Sequence, residues 1–423
     1  MNAQTPTRGG HLVAGGRNIS AAGGWIARLF SGSFVHAVER IDRGLVQGTI
    51  NATLPDGSTR KVGGRGEGPV ARIDLKSWNA LVRLATAGSI GWYEAWVAGE
   101  WTSPDPVQIF DLFMRNADTL GDVGRAKGPW RWAGRLLNIA RRNSKAQARR
   151  NIAAHYDLGN DFYRLWLDET MSYSSALWHG IAPDAPLAHA QANKVDRLGA
   201  RLALVPGSEV LEIGCGWGFL ARRLAETSGA RVTGISLSDE QLEWARLTLQ
   251  ASGLTGIEYR HQDYRDVHGQ FDAIASVEMV EAVGREYWPS YFDCLARCLK
   301  PGGRAALQYI SIRDELFDAY AASADFIQAY VFPGGLLISE TEFRALAKER
   351  GLTWEDQHDF GIDYAETLKT WRDALDRAVA ENRLPAGFDR KFVDLWRYYL
   401  MYCEGGFRGG GINVAQVTLV KTA

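Results

Sequence analysis

The chain has 423 residues, of which 46% are hydrophobic and 23% are charged, and its formal net charge is −1. This length is enough for more than one domain with a buried core. A net charge near zero argues against a protein built wholly around a polyanion. No apolar run approaches the ~20 residues that span a bilayer, and the polar first residues show no secretory signal. We therefore expect a cytoplasmic protein.

The four cysteines stand at positions 215, 294, 298 and 403. They form neither a paired framework nor a Cys-x-x-Cys spacing, which argues against a disulfide scaffold and against a zinc site. We therefore expect a reducing compartment and no metal.

The amino-terminal third divides by composition. Residues 1–24 are rich in Gly, Ala and Thr and are predicted to be disordered. A smaller α+β domain, associated with lipid or membrane, is predicted over residues 25–123. It opens with apolar residues at helical spacing from Trp25 to Ile41. The segment GTINATLPDGST then predicts a β-hairpin that turns at Asp56-Gly57.

A basic stretch follows this domain. Between Val123 and Tyr156 there are nine Lys/Arg and no Asp or Glu, interleaved with tryptophan, leucine and isoleucine. We call residues 124–150 the basic aromatic linker. Such a helix suits an anionic membrane surface, and a solvated linker helix is an equal alternative from these residues alone. Nucleic acid is a third candidate, but nothing downstream supports it, so peripheral membrane association is the prediction.

Residues 151–423 are predicted to form a second domain of α/β class. From about Ser208, strand-like segments alternate with helical ones through SEVLEIG, RVTGISL, IEYRHQ, FDAIASVE and RAALQYISI. This alternation predicts a doubly wound, mostly parallel sheet. TWEDQHDF and INVAQVTLV bring the total to seven strands in a Rossmann-like sheet. Between these last two lie roughly fifty residues of helical pattern, near the carboxyl ends of the strands, where such sheets bind ligands.

The first of these strands runs into a glycine loop with the pattern Glu212-x-Gly214-x-Gly216-x-Gly218. A dinucleotide site expects G-x-G-x-x-G, but its third glycine position is Phe219, and no Lys-Ser/Thr follows to complete a P-loop. Glycines let the backbone approach a ligand closely, although they also serve plain strand–helix packing. The spacing resembles the first motif of class I S-adenosylmethionine-dependent methyltransferases. With the strand order, it predicts their fold.

Two groups of methyltransferases are disfavoured. After the fourth strand, the segment SVEMVEAVG (276–284) stands where nucleic-acid amino-methyltransferases have Asn/Asp-Pro-Pro-Tyr/Phe. There is also no Pro-Cys nucleophile for cytosine C5. We therefore expect no nucleic-acid substrate.

Nine segments together resemble the cyclopropane fatty acid synthases and mycolic acid cyclopropane synthases, in the family's order. The resemblance covers most of residues 150–423, and the amino-terminal domain resembles the one that precedes the catalytic half in the bacterial phospholipid enzymes. The segments are HYDLGNDFYRLWLD (155–168), MSYSSALW (171–178), LEIGCGWG, ISLSDEQ, QDYRD, EMVEAVG, LQYISI, YAETLKTW (364–371) and YYLMYCEGGFRGG (398–410).

The resemblance implies transfer of the methyl group of S-adenosylmethionine to a cis double bond of a phospholipid acyl chain. In the family, a bound bicarbonate then removes a proton from the new methyl group, and a cyclopropane ring closes. Loss of a different proton would give a methyl-branched unsaturated chain instead. A membrane-binding module with an inactive fold and a small-molecule methyltransferase are further alternatives. The oligomeric state, a homodimer included, stays open.

The resemblance also assigns site residues. For the cofactor, it implies that Tyr173 and Ser174 close over the methionine end, that Gln241 contacts the ribose and that Asp263 and Tyr264 hold the adenine. The cofactor loop matches Gly214, Gly216 and Gly218, with Trp217 beside it.

For bicarbonate, the resemblance implies a hydrogen bond to Glu281, orientation by Tyr364 and a contact with the backbone amide of Ile310. Two positions depart from the commoner pattern, because Ser175 replaces a cysteine and Gln308 replaces a histidine. Ser175 can keep a backbone contact, and Gln308 can donate a hydrogen bond but cannot take up a proton. The plant-type synthases resemble this chain more closely here. We therefore expect ring closure.

Overall fold

The structure is a computed structural model that describes residues 8–14, 31–121, 123, 158–182 and 184–422. Contacts divide the chain into two compact units. The first unit combines residues up to 141 with 315–333 and 386–412, and the second combines 142–314, 334–385 and 413–423. This division differs from the predicted boundaries at 25–123 and 151–423, because two segments of the carboxyl-terminal half belong to the first unit. The basic aromatic linker lies outside the described residues.

The first unit contains a four-stranded sheet in the order β2-β1-β3-β4. Strand β1 (Gln47–Thr53) pairs antiparallel with β2 (Thr59–Gly63), which confirms the predicted hairpin. Asp56 and Gly57 form the turn, where the Asp56 carboxylate accepts a hydrogen bond from the Ser58 amide at 2.9 Å. The other strands are β3 (Gly66–Leu75) and β4 (Trp101–Thr102).

Part of residues 1–24, the segment whose composition predicts disorder, is described by the structure. Residues Gly10–Ala14 form a short helix, and the side chain of Leu12 is buried in the first unit. Burial of this apolar side chain stabilises the short helix. The predicted opening helix is described over Ser31–Gly44, and its first residues from Trp25 lie outside the described part.

The glycine-rich end of YYLMYCEGGFRGG packs two helices of the first unit together. Gly405 and Gly409 lie where helix Arg390–Arg408 meets helix Pro106–Arg115. A Cβ on Gly405 would lie 2.9 Å from the amide nitrogen of Asp111, closer than side chains approach backbone. Small residues therefore permit this close helix packing. The predicted helical insertion before the last strand is divided, because its second helix belongs to the first unit.

The second unit contains the large sheet, and the predicted α/β class is confirmed. Its strands run in the order β11-β12-β9-β8-β5-β6-β7, and β10 pairs with β9. The neighbouring strands from β9 through β8, β5 and β6 to β7 pair in parallel, whereas β11 pairs antiparallel with β12. The strands are β5 (Glu209–Ile213), β6 (Arg231–Ser236), β7 (Ile257–His261), β8 (Phe271–Val277), β9 (Leu299–Ile312), β10 (Ile338–Ser339), β11 (Leu352–Asp359) and β12 (Ile412–Lys421).

Helices cover the sheet through apolar side chains such as Val195, Leu198, Leu220 and Leu242, which are buried against the strands. Parallel strands covered on both faces bury continuous apolar runs, as in VLEI of β5. The α-helices of the second unit are Asn160–Tyr163, Leu187–Arg201, Phe219–Ser228, Asp239–Ser252, Val280–Val283, Trp288–Cys298, Glu340–Lys348 and Gly361–Ala380.

The first unit also includes the helices Asn79–Val97, Ala117–Leu120 and most of Asp314–Ala321, with a π-helical turn at Ile327–Val331. Within the described residues, no helix is both long enough and apolar enough to cross a bilayer.

Candidate active site

The loop after β5 places two of its three glycines against a cavity. Gly214 and Gly216 line this cavity with φ angles of 82° and 51°, in the left-handed region that glycine adopts without strain. A Cβ on Gly216 would meet no protein atom within 4 Å. Gly218 does not line the cavity. It precedes helix Phe219–Ser228, and a Cβ there would overlap the hydroxyl of Tyr259, so its role is packing.

The cavity opens at the carboxyl ends of the parallel strands, as the Rossmann-like topology requires. Its volume is about 160 Å³, far more than the roughly 10–15 Å³ that one water needs. The Glu212 Oε2 and Tyr264 Oη atoms are buried at this cavity without a hydrogen-bond partner among the described residues. Unsatisfied buried polar atoms beside a cradle of glycines fit a polar ligand such as S-adenosylmethionine.

The other predicted cofactor residues also lie at this cavity, which is lined by Tyr173, Ser174, Trp217, Gln241, Asp263 and Tyr264. The indole nitrogen of Trp217 donates a hydrogen bond to Asn160 Oδ1 at 2.6 Å. The Gln241 side-chain oxygen accepts one from Ser236 Oγ at 3.1 Å, which directs the amide nitrogen elsewhere. The structure therefore brings these predicted residues together, and their individual cofactor contacts stay predictions.

Asp263 has an internal partner at the edge of the cavity. Its carboxylate accepts hydrogen bonds from Arg265 Nε at 2.8 Å and from Arg265 Nη2 at 2.6 Å. The Asp263 side chain is almost fully buried, so this bidentate pair fixes it. Its contact with adenine stays a prediction.

A buried carboxylate cluster adjoins the cavity, with Glu278 at its centre. Glu278 follows β8 and lines the cavity, and its φ of 51° is unusual for a residue with a side chain. Its Oε1 accepts hydrogen bonds from the Ser175 amide at 2.9 Å and from Gln308 Nε2 at 2.9 Å. Its Oε2 accepts one from Tyr364 Oη at 2.7 Å. The groups predicted to hold bicarbonate at 175, 308 and 364 thus hold a carboxylate of the chain itself.

Glu281, the predicted bicarbonate contact, lies one helical turn further along. Its Oε1 accepts a hydrogen bond from the Ile310 amide, and its Oε2 is buried without a partner among the described residues. Burial, and then the neighbouring charge of Glu278, raise the pKa of Glu281 to about 8. A carboxyl group with this pKa is mostly protonated at neutral pH, so Glu281 is a poor candidate for a base there.

Glu278 is better suited to carry a negative charge. Burial raises its pKa, but hydrogen bonds from the Ser175 amide, Gln308 and Tyr364 oppose that rise, as does the charge of Lys194. Donors that bond to a carboxylate favour its charged form. Of the two glutamates, Glu278 is therefore the stronger candidate for a carboxylate base.

Lys194 was not predicted as a site residue. It is fully buried at the cavity, and its ammonium donates a hydrogen bond to Ser174 Oγ at 2.7 Å. Burial lowers its pKa to about 8, while Glu278, Asp168 and Glu212 act in the opposite direction. Nothing in the spacing of an amphipathic helix marks one inward-facing lysine in advance. Glu278 did carry a signal, because it is an acidic residue directly after an apolar strand.

Aromatic side chains connect the glycine loop with the carboxylate cluster. Tyr163 lies 5.2 Å from Trp217 and 5.7 Å from Tyr173, measured between ring centroids. Trp371 lies 5.5 Å from Tyr173 and 6.1 Å from Tyr364. Such faces attract cations. We call these rings the aromatic wall; of them, Tyr173 and Trp217 line the cavity and suit a substrate that becomes positively charged.

Comparison with known proteins agrees with this geometry. The family model described as mycolic acid cyclopropane synthetase matches residues 143–417. A tuberculostearic acid methyltransferase of Mycobacterium tuberculosis is 39% identical over 350 residues, which cover 80% of this chain and 80% of the relative. A cyclopropane-fatty-acyl-phospholipid synthase of Escherichia coli is 34% identical over 353 residues, or 83% of this chain and 88% of the relative.

Among solved structures, the mycolic acid cyclopropane synthase CmaA1 complexed with SAH and CTAB superposes with a TM-score of 0.60. It is 29% identical, and the match covers 64% of this chain and 98% of that chain. The glycine loop, the cavity and the carboxylate cluster all lie within the matched family region. The chain belongs to the mycolic acid cyclopropane synthetase family and is an S-adenosylmethionine-dependent fatty acyl methyltransferase.

Proposed function

We propose that the protein transfers the methyl group of S-adenosylmethionine to a cis double bond of a phospholipid acyl chain, and that Glu278 takes up the departing proton. The proposed product is a methyl-branched unsaturated chain. One observation carries this proposal: Ser175, Gln308 and Tyr364 all bond to the Glu278 carboxylate. These contacts support a role for the Glu278 carboxylate in place of the bicarbonate that the resemblance implies.

A carboxylate and a bicarbonate ion present the same acceptor chemistry, because each offers a planar, delocalised pair of oxygens. The difference lies in attachment. Glu278 is tethered to the chain directly after β8, so it needs no anion from solution and occupies one fixed position. Fixed placement of a base close to the reacting chain lowers the entropic cost of proton transfer.

The cofactor, when bound, supplies an electrophilic methyl group on a sulfonium centre. Gly214, Gly216 and the other residues that line the cavity would hold it, and its methyl group would bond to the π electron pair of the acyl double bond as the S–C electron pair stays on sulfur. Tyr173 and Trp217, the members of the aromatic wall that line the cavity, are available to the positive charge left on the acyl chain. Glu278 then accepts a proton from a neighbouring chain carbon, and the released C–H pair forms the new double bond. The neutral Glu278 returns its proton to water.

One observation supports branching over ring closure. A relative named for tuberculostearic acid, a branched product without a ring, is 39% identical to this chain, against 34% for the Escherichia coli cyclopropane synthase. Ring closure is the second candidate, since a barrier difference of ~1.4 kcal/mol between the two deprotonations already gives a tenfold preference.

The substrate class implies contact with a membrane surface. The basic aromatic linker is our candidate for that contact, and its lysines and arginines predict binding to anionic vesicles that weakens as salt screens the charges. Equal binding to anionic and zwitterionic vesicles at all salt concentrations would leave this stretch as a linker only.

The proposed function is tested by expression in a host that lacks such an enzyme, followed by NMR of the extracted acyl chains. Mass alone is insufficient, because both products add CH2. Branching keeps an alkene signal and adds a methyl branch, whereas a ring removes the alkene signal. Glu278→Gln is the matched control, because its amide keeps the shape of the side chain but cannot accept the proton. A cyclopropane product would contradict branching, and unmodified lipid with the wild-type protein would contradict methyl transfer.

A further inference from the structure

A buried line of hydrogen bonds runs from Glu278 to a distant arginine. Gln308 Nε2 donates to Glu278 Oε1 at 2.9 Å, and Gln416 Nε2 donates to Gln308 Oε1 at 3.2 Å. Arg201 Nε in turn donates to Gln416 Oε1 at 3.4 Å. The exposed fractions of Gln308, Gln416 and Arg201 are 1%, 0% and 6%. Water therefore does not compete with these bonds.

The direction of the line is set by its arginine end. A guanidinium can only donate hydrogen bonds, so Gln416 must turn its oxygen toward Arg201 and its amide nitrogen toward Gln308. Gln308 then has its oxygen occupied and must present its own nitrogen to Glu278. Each amide is thus oriented by the neighbour before it.

Second hydrogen bonds reinforce both orientations. Gln416 Nε2 also donates to the Lys194 carbonyl at 3.1 Å, and Gln308 Nε2 also donates to the Ser175 carbonyl at 3.2 Å. A rotation of either amide by half a turn would place its oxygen against these carbonyl oxygens. The rotated states are disfavoured because buried acceptors would face each other without donors.

We infer that Gln416 and Arg201 are positioning residues, which fix the Gln308 amide with its nitrogen toward Glu278 and so favour the carboxylate form of that glutamate. The inference rests on the proposed function, in which the Glu278 carboxylate is the base. Arg201 is itself held by Asp356, whose Oδ2 lies 2.8 Å from Arg201 Nη1. The Asp356 side chain is largely exposed, so the line ends at the protein surface.

Other charged and titratable groups also face Glu278. Lys194 approaches from helix Leu187–Arg201, Tyr364 from helix Gly361–Ala380 and Glu281 from its own segment. The hydrogen bond from Gln308 lowers the pKa of Glu278. When the Gln308 nitrogen turns away, that pKa rises. A base that works deprotonated then loses activity at a higher pH, so the acidic limb of the rate profile moves upward.

The decisive variant is Gln416→Glu. The new carboxylate still accepts from Arg201 but offers Gln308 no donor, so the Gln308 nitrogen turns toward position 416 and its oxygen toward Glu278. We expect the acidic limb of kcat to move up by about one pH unit, since one unit corresponds to about 1.4 kcal/mol. Gln416→Leu leaves the Gln308 amide free, and its limb should lie between those of the wild type and Gln416→Glu. S-adenosylmethionine affinity should stay within about threefold of the wild type in both variants.

Thr418→Val serves as the matched control. Thr418 is buried on β12, and its hydroxyl accepts from Arg201 Nη1 at 3.4 Å, but within the described residues it makes no hydrogen bond to Gln416 or Gln308. Its pH profile should equal that of the wild type. If Gln416→Glu does not fold, Gln416→Leu carries the test.

If the acidic limb of kcat lies at the same pH in the wild type and in the folded Gln416 variants, the positioning role is overturned. Glu278→Gln separates this failure from failure of the proposed function. If Glu278→Gln keeps wild-type turnover, Glu278 is not the base and the proposed function itself fails. If Glu278→Gln is inactive while the Gln416 variants keep the wild-type limb, only the inference fails.

Discussion

Glu278 and Glu281 lie three positions apart in one short segment, but different hydrogen-bond donors surround their carboxyl groups. Glu278 meets three donors that come from the loop before helix Leu187–Arg201, from β9 and from helix Gly361–Ala380. Glu281 meets one, the Ile310 amide, and keeps an unpartnered buried oxygen within the described part of the chain. Both carboxyl groups are buried and burial raises the pKa of each, but at Glu278 three donors and the charge of Lys194 oppose that rise. The comparison teaches that burial alone does not identify a base.

The largest expected difference between the two glutamates is in turnover. Glu278→Gln should lower kcat by roughly 10²–10⁴-fold, the usual contribution of a general base, with little change in cofactor affinity. Glu281→Gln should lower it by less than about tenfold, because a carboxyl group with a pKa of about 8 is already neutral at pH 7. Steady-state kinetics and a cofactor titration measure both variants. The reverse order of effects would make Glu281 the base.

A smaller effect on turnover is expected when one donor to Glu278 is removed. Tyr364→Phe removes the donor to Glu278 Oε2, and a hydrogen bond to a charged group contributes about 1.5–3 kcal/mol. The pKa of Glu278 should rise, so the variant should lose about 10–100-fold in kcat at acidic pH and less at alkaline pH. Tyr309→Phe is the control, because the Tyr309 hydroxyl is buried without a hydrogen bond in the described structure. A pH-independent loss in Tyr364→Phe would point to the aromatic wall instead.

Glu281 should also affect stability in a pH-dependent way. Its pKa is about 8 in the folded protein, above the ordinary value of 4.5, so the folded state holds a proton that the unfolded state releases between these pH values. The contribution of Glu281 to stability is therefore largest below about pH 4.5 and falls as the pH rises to about 8, by up to about 1.4 kcal/mol per unit. Glu281→Gln removes this loss, so its melting temperature relative to the wild type should be higher at pH 8 than at pH 5. Parallel melting curves at both pH values would contradict the raised pKa.

The smallest expected effect is none at all. If Glu278 replaces bicarbonate, then adding bicarbonate to depleted wild-type enzyme should leave the rate unchanged. Glu278→Gln offers a sharper comparison, because its vacated charge could admit an external anion. Stimulation of wild-type turnover by bicarbonate would indicate that bicarbonate, and not Glu278, is the base.

Local chemistry explains what could be predicted from the sequence. The order of apolar segments predicted the parallel sheet, and Gly214 and Gly216 predicted a cavity-lining loop, because the left-handed backbone angle at each glycine is a property of that residue. The same logic was less informative for Gly405 and Gly409. These two glycines belong to a segment that resembles the family, but they pack two helices together. The residues next to a glycine in the sequence do not show whether it lies against a ligand or against another helix.

Only the tertiary structure decided which acid is the centre of the site. The donors to Glu278 lie 103, 30 and 86 positions away along the chain, at Ser175, Gln308 and Tyr364. Gln416 lies another 108 positions from Gln308. The sheet, the glycine loop and the family could be predicted from the sequence, because they depend on periodicity, on backbone freedom within a few residues and on short motifs. The charge of a buried carboxylate depends instead on donors that folding brings together, and linear spacing does not encode their positions.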